Sequence, residues 1–205
     1  MTRVLVVDDH PVVRAGMRML LEAAAIDVIG EAATGEEAIS WASMARPDLV
    51  LMDLQLGYGM DGVAATAALR ALPDPPPVLI VTTYDTDADI LRAVEAGAAG
   101  YLLKDTAPAE LIDAVQRAAA GENVLTPVVA DRLLASLRNP APRLSERELD
   151  VLRLVAEGCS NRVVATRLFV TEATVKSHLV HIFDKLGVDS RTAAVSRARE
   201  LGLLR

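Results

Sequence analysis

Short aliphatic runs alternate with stretches of helical period through residues 1–121, and this alternation restricts the first half of the chain to a parallel α/β sheet. Val4–Val7, Leu49–Met52 and Val78–Val81 read as strands buried on both faces, and five strands are expected in all. The intervening helices are placed at Pro11–Ala24, Gly35–Ala45, Gly62–Leu72, Asp87–Ala96 and Ala107–Ala120. Thr34 and Glu37 have capping-box spacing at the start of the second helix, and the proline-rich turn Asp74–Pro77 forces the chain out of the third. Right-handed crossovers then put helices on both faces of the sheet.

Polar residues fall where these runs end. Asp8 and Asp9 follow the first, Asp53 follows Leu49–Met52, Thr82 follows Val78–Val81, and Lys104 follows Tyr101–Leu103. Ligands of parallel sheets bind at the carboxyl ends of the strands, so these side chains are expected to converge on one pocket. Carboxylates about 4 Å apart repel by about 1 to 4 kcal/mol per pair, which calls for a compensating cation. The set therefore points to a hard metal and phosphoryl chemistry. Taken singly, an aspartate after a strand is often a helix cap and a lysine is usually solvated; five such residues at the right strand ends outweigh that explanation. His10 has no second histidine nearby and reads as a loop residue rather than a ligand.

The rest of the chain differs in charge and in period. Residues 1–121 carry 8 Lys and Arg against 18 Asp and Glu, whereas residues 122–205 carry 13 against 10. A mildly basic second half suits nucleic-acid contact without establishing it. Gly121 closes the first domain, residues 1–121. Residues 122–142 form a linker with a short helix from Pro127 to about Arg138 and a break at Asn139–Pro142, and residues 143–205 form the second domain. That domain reads as four short helices, the first opened by a Ser145–Glu148 capping box. Cys159 is the only cysteine, so no internal disulfide is possible. The N-terminal apolar run is too short for a signal peptide, and no apolar segment approaches the roughly 20 residues that span a bilayer. A cytoplasmic protein with no membrane contact is expected.

Val4-Leu5-Val6-Val7-Asp8-Asp9-His10, Met52-Asp53-Leu54, Val81-Thr82-Thr83 and Gly100-Tyr101-Leu102-Leu103-Lys104-Asp105 together resemble the receiver domain of two-component response regulators. The resemblance implies a flavodoxin-like fold with a five-stranded parallel sheet of order 2-1-3-4-5. It makes Asp53 the acceptor of a phosphoryl group from a sensor histidine kinase. Mg²⁺ would be held by Asp9, the Asp53 carboxylate and the Gln55 carbonyl, with Asp8 on its waters. Lys104 and Thr82 would neutralise the phosphoryl oxygens, and Tyr101 would turn inward as Thr82 is drawn in. Gln55 and Tyr84, two residues beyond the acceptor and beyond the switch threonine, would tune dephosphorylation; neither is a carboxylate base, so slow hydrolysis is expected. The loop Gln55-Leu56-Gly57-Tyr58-Gly59-Met60-Asp61-Gly62 departs from the family's usual turn in its glycines and aromatic.

Leu144-Ser145-Glu146-Arg147-Glu148, Glu157-Gly158-Cys159-Ser160-Asn161, Thr174-Val175-Lys176-Ser177-His178 and Lys185-Leu186-Gly187-Val188 resemble the LuxR-type helix-turn-helix. With the receiver, this is the NarL/FixJ subfamily of transcriptional regulators. Val175, Leu179, Ile182 and Leu186 form one apolar stripe on a helix capped by Thr171. The opposite face carries Ala173, Lys176, Ser177, Val180, His181 and Asp184, suited to a major groove. Lys176 is expected at a base edge and Val180 at a thymine methyl, with Thr174 and Lys185 on phosphates and Ser177 and His181 completing the contact face. Val163 stands where the family usually has an acidic residue, so a polar contact is lost there or replaced by packing. The expected partners are the kinase, double-stranded promoter DNA and, on phosphorylation, a second copy of the chain. Two other readings are an Mg²⁺-dependent aspartyl phosphohydrolase, which the short connections leave without a substrate cap, and a regulator with a vestigial acidic site, although all the reactive groups are present.

Overall fold

A computed structural model describes residues 1–83, 86–138 and 144–204. Tyr84 and the Asn139–Pro142 break lie outside the described residues. The chain divides into two compact units: residues 89–135 go with those before 84, and residues 86–88 go with those from 136 onward.

Up to residue 138 the chain runs β1 (Arg3–Val7), α1 (Pro11–Ala23), β2 (Asp27–Ala32), α2 (Gly35–Ala45), β3 (Leu49–Met52), α3 (Gly62–Arg70), β4 (Val78–Thr82), α4 (Asp87–Glu95), β5 (Gly100–Leu103), α5 (Pro108–Ala119), β6 (Val124–Leu125) and α6 (Pro127–Arg138). All pairings are parallel, in the order β2-β1-β3-β4-β5-β6. The expected order of five strands holds, and a sixth is added at the β5 edge. Gly100 makes this possible: a Cβ there would lie 2.4 Å from the Val124 carbonyl oxygen, so only a glycine lets the two backbones approach.

Strand alternation divides the core in two. Leu5, Val7, Val50, Met52, Val78, Ile80 and Tyr101 face one side with Ala38, Ala42, Ala65, Leu69, Ile90 and Ala93. Val4, Val6, Leu49, Leu51, Leu79, Val81 and Leu102 face the other, with Leu21 of α1 and Leu111, Ala114, Val115 and Ala118 of α5. Burying both faces fixes the strand register, and the register in turn fixes which residue stands first beyond each strand. The α2 start carries its expected cap: Thr34 accepts from the Glu37 amide, while the Glu37 carboxylate returns one residue further, to the Ala33 amide.

The second unit contains α7 (Glu146–Ala156), α8 (Asn161–Leu168), α9 (Glu172–Leu186) and α10 (Arg191–Glu200), four helices as expected. Ser145, Ser160, Thr171 and Ser190 cap them in turn, each side chain accepting from the amide three residues on. The expected stripe Val175, Leu179, Ile182 and Leu186 is the buried face of α9, packed with Val151, Leu152, Val155, Val164, Ala194 and Ala198. Among the described residues no helix is long and apolar enough to cross a membrane.

Candidate functional site

The sheet ladder continues one residue past the strand ends and so positions the polar set. The amide of Asp8 donates to the Ala32 carbonyl at 3.1 Å, that of Asp53 to Val7 at 2.9 Å, and that of Lys104 to Thr82 at 2.8 Å. Asp8, Asp53 and Thr82 are all buried. Lys104 Nζ stands 2.6 Å from Asp8 Oδ2 and 2.8 Å from Asp53 Oδ2, with 14% of its side chain exposed. Burial works against the ammonium charge, but the hydrogen bonds to Asp53 and Asp8 and their negative charges prevail and raise the Lys104 pKa above the ordinary lysine value. The lysine thus supplies the cation that two buried carboxylates require.

Two carboxylate oxygens, Asp53 Oδ1 and Asp9 Oδ1, are left over. Asp53 Oδ1 is buried and has no hydrogen-bond partner among the described residues. A buried oxyanion without a partner is costly, and its presence marks a place for an incoming cation or electrophile. Asp9 is partly exposed, with Oδ1 2.6 Å from His10 Nδ1 but without an aligned hydrogen bond. Ligand atoms of Asp8, Asp9 and His10 fall within 4.8 Å of one another. His10 itself is largely exposed, and its amide donates to Asp8 Oδ1 at 2.8 Å. The carboxylate oxygens of Asp8 and Asp9 fit a hard divalent cation.

The loop from β3 to α3 closes over this group. Asp61 caps α3, Gly62 donates to the Leu54 carbonyl at 2.9 Å, and Glu36 accepts from the Met60 amide at 3.0 Å. A Cβ at Gly62 would lie 2.0 Å from the Asp53 carbonyl oxygen, and one at Gly57 would lie 2.9 Å from Asp9 Oδ2. Gly62 is therefore what lets the loop pass the Asp53 backbone, while a methyl group at Gly57 would meet the tip of the Asp9 side chain. Gln55 is partly buried in it, and Tyr58 is exposed. Tyr101 is fully buried in β5 among the core residues, so its ring already stands inward here, whereas the resemblance has it turn inward as Thr82 is drawn in. Sequence reasoning missed Arg14, whose guanidinium donates to the Asp8 carbonyl and pairs with Glu31 at 3.3 Å. Its place one turn into the helix after the carboxylates was the available signal.

In the second unit Lys176, Ser177, Val180, His181 and Lys185 are exposed on α9, opposite its apolar stripe, and Thr174 is partly buried in the first turn. The Thr174 hydroxyl lies 2.8 Å from that of Thr171. Lys185 is already engaged: its Nζ is 2.7 Å from Oε2 of buried Glu148 on α7. Glu148 also accepts from the amide and hydroxyl of Ser145, completing the capping box. The neighbouring Arg147 donates to the Leu168 carbonyl at the end of α8, and Arg191 donates to the Cys159 carbonyl in the turn before it. Sequence reasoning found the box but none of these three cross-helix bonds. Val163 is exposed on α8, so packing does not stand in for the missing acidic residue.

Comparison with known proteins agrees with both halves. Residues 4–116 match the response regulator receiver domain family, and residues 142–198 match the luxR family of bacterial regulatory proteins. The transcriptional regulatory protein LiaR of Bacillus subtilis (strain 168) is 43% identical over 202 residues, covering 95% of each chain. The crystal structure of response regulator ChrA of a heme-sensing two-component system is 50% identical, covers 98% of each chain and superposes with a TM-score of 0.59. RcsB from Salmonella enterica serovar Typhimurium, bound to a promoter in the presence of the phosphomimetic BeF3-, is 25% identical over 98% of each chain with a TM-score of 0.68. The chain therefore belongs to the LuxR-type two-component response regulators, transcription regulators that join a receiver domain to a DNA-binding helix-turn-helix domain.

Proposed function

We propose that Asp53 is the phosphoryl acceptor, taking its phosphoryl group from a sensor histidine kinase and thereby controlling promoter binding by α9. The observation that carries this reading is Lys104 held between Asp8 and Asp53 beside the partnerless Asp53 Oδ1. That oxygen is free to attack phosphorus, the P–N bond to the donor histidine breaks, and the histidine nitrogen leaves with the electron pair. Lys104 and the Thr82 hydroxyl would take up the negative charge of the transferred group. Asp9, the Asp53 carboxylate and the Gln55 carbonyl would hold Mg²⁺, with Asp8 on its waters; when bound, the ion supplies charge neutralisation at the transferring oxygens. Once Thr82 bonds the phosphoryl group, Tyr101 and the start of α4 are the elements that its shift would bias. Gln55 and Tyr84 offer no carboxylate base toward an attacking water, so the phosphorylated state is long-lived.

The chain acts in this reading as a stoichiometric switch in the cytoplasm and not as an enzyme. Phosphorylation pairs two copies, and the dimer sets two copies of α9 on two half-sites of double-stranded DNA. Lys176 reads a base edge, Val180 meets a thymine methyl, Ser177 and His181 fill the contact face, and Thr174 reaches phosphate. Lys185 reaches phosphate only with a donor left over from Glu148. The domain limits are 1–121 for the receiver, 122–142 for the linker and 143–205 for the DNA-reading part. Acetyl phosphate with Mg²⁺ should shift the wild-type chain toward dimer in sedimentation and leave Asp53→Asn a monomer. Full phosphoryl incorporation into Asp53→Asn, mapped to another residue, would overturn the assignment.

A further inference from the structure

Phe169 occupies a backbone position that few side chains favour. It is the C-cap of α8, with φ 55° and ψ 44°, in the left-handed region that a Cβ disfavours and that glycine or asparagine usually fills. Its side chain is 95% exposed, so no burial within the folded unit offsets that backbone cost. Ala25 and Arg46 are the other described non-glycine residues with positive φ, and neither carries a large apolar group into solvent.

The surrounding backbone holds the ring out. Phe169 donates to the Thr166 carbonyl at 3.3 Å, Val170 to Ala165 at 3.0 Å, and Arg147 grips the Leu168 carbonyl. Val170 packs against the core, so folding the ring inward would break three bonds and a core contact. Two residues later Thr171 caps α9. Any pose that lays the first two turns of α9 on base edges brings the residues just before Thr171 to the sugar-phosphate wall of the groove.

We infer that Phe169 is a DNA contact whose ring packs on the deoxyribose of the strand bordering the groove. The inference rests on the DNA-reading role of α9 proposed above. An apolar contact with sugar is the same at every base pair and involves no counterion, so it adds affinity without sequence preference and without salt dependence. That combination separates it from Lys176 at a base edge and from any lysine on a phosphate.

The test uses the full chain with beryllofluoride and Mg²⁺, a duplex recovered by the wild type from a randomised pool, and an unrelated duplex, each titrated over a range of salt. Phe169→Asn should bind both duplexes about tenfold more weakly, with the preference between them and the salt slope unchanged. Phe169→Leu, which keeps apolar area, should recover most of the loss. Hydrogen exchange in α8 and α9 of Phe169→Asn should be no faster than in wild type, because asparagine suits the left-handed cap, and this excludes misfolding as the cause. Equal binding by Phe169→Asn overturns the inference, as does a loss confined to the recovered duplex. A change in self-association without DNA, at unchanged DNA affinity, would assign the ring to a second copy of the chain and also overturn it. If the wild type binds neither duplex, the reading of α9 fails and the inference with it, an outcome distinct from a wild type and variant that bind alike.

Discussion

Replacing Glu148 by glutamine removes a buried charge that three donors hold, and its cost can be worked from the structure. Only 5% of the side chain is exposed. Oε2 accepts from Lys185 Nζ at 2.7 Å, from the Ser145 amide at 2.6 Å and from the Ser145 hydroxyl at 2.9 Å. Burial pushes the carboxyl pKa up, but the bonds from Lys185 and Ser145 and the lysine charge outweigh it and hold the group at about 2, against an ordinary 4.5. At about 1.4 kcal/mol per pKa unit that difference bounds the stabilisation at about 3 to 4 kcal/mol. Lys185 is 40% exposed, and solvent screening brings the expectation to about 1 to 3 kcal/mol. Because the folded pKa is depressed, the stabilisation is complete above pH 4.5 and is lost as pH falls toward 2. A single melting curve would blend two units, so amide hydrogen exchange on the intact chain is the suitable assay. Glu148→Gln should speed exchange in α7 and α9 by about 5- to 150-fold at pH 7 and leave β1 to β5 unchanged. At pH 3.5, after correction for intrinsic rates, the gap should shrink by about 1 kcal/mol. Equal protection in the two proteins, or a gap that ignores pH, would refute the reasoning.

Three further outcomes follow from the same geometry. Lys104→Ala leaves Asp8 and Asp53 buried without their cation and should cost the first unit about 3 to 5 kcal/mol in exchange protection. Mg²⁺ should then stabilise that variant more than the wild type. Because the folded pKa of Lys104 is raised above the ordinary 10.5, the wild-type advantage should be fully present at neutral pH and on the alkaline side fade only as pH rises through the folded value. Gly57→Ala places a methyl group 2.9 Å from Asp9 Oδ2 and should weaken Mg²⁺ binding, followed through Trp41 fluorescence, with little loss of stability; unchanged affinity would show that the loop yields. Lys176→Ala should cost about 1 to 3 kcal/mol on a preferred duplex and relax its sequence preference, whereas uniform weakening with a shallower salt slope would move Lys176 to a phosphate.

The acidic site was legible because doubly buried strands are continuous aliphatic runs, and the residue beyond each run needs no pairing partner to be located. Asp8, Asp53, Thr82 and Lys104 could thus be placed at one edge before any distance was known. Strand β6 was not legible: two residues have no period, and its pairing depends on Gly100, more than twenty positions earlier in the chain. The same limit governs the second unit. The Ser145–Glu148 box is local and reads directly, but the third donor to Glu148 comes from Lys185, 37 residues away, which in isolation looks like a solvated charge. The depth of Tyr101 depends on residues from several other elements packing around it, which spacing does not record.

Arg147 and Glu148, adjacent on α7, grip the end of α8 and the last turn of α9 respectively. The orientation of the reading helix is thereby set from behind, by side chains away from the Ala173, Lys176, Ser177, Val180 and His181 face. Vocabulary and grammar are thus kept apart in this protein. On the proposed reading of α9, its face can be rewritten to address a different promoter while the two grips keep the helix in its attitude, so descendants or engineered versions can acquire new targets without relearning how to fold.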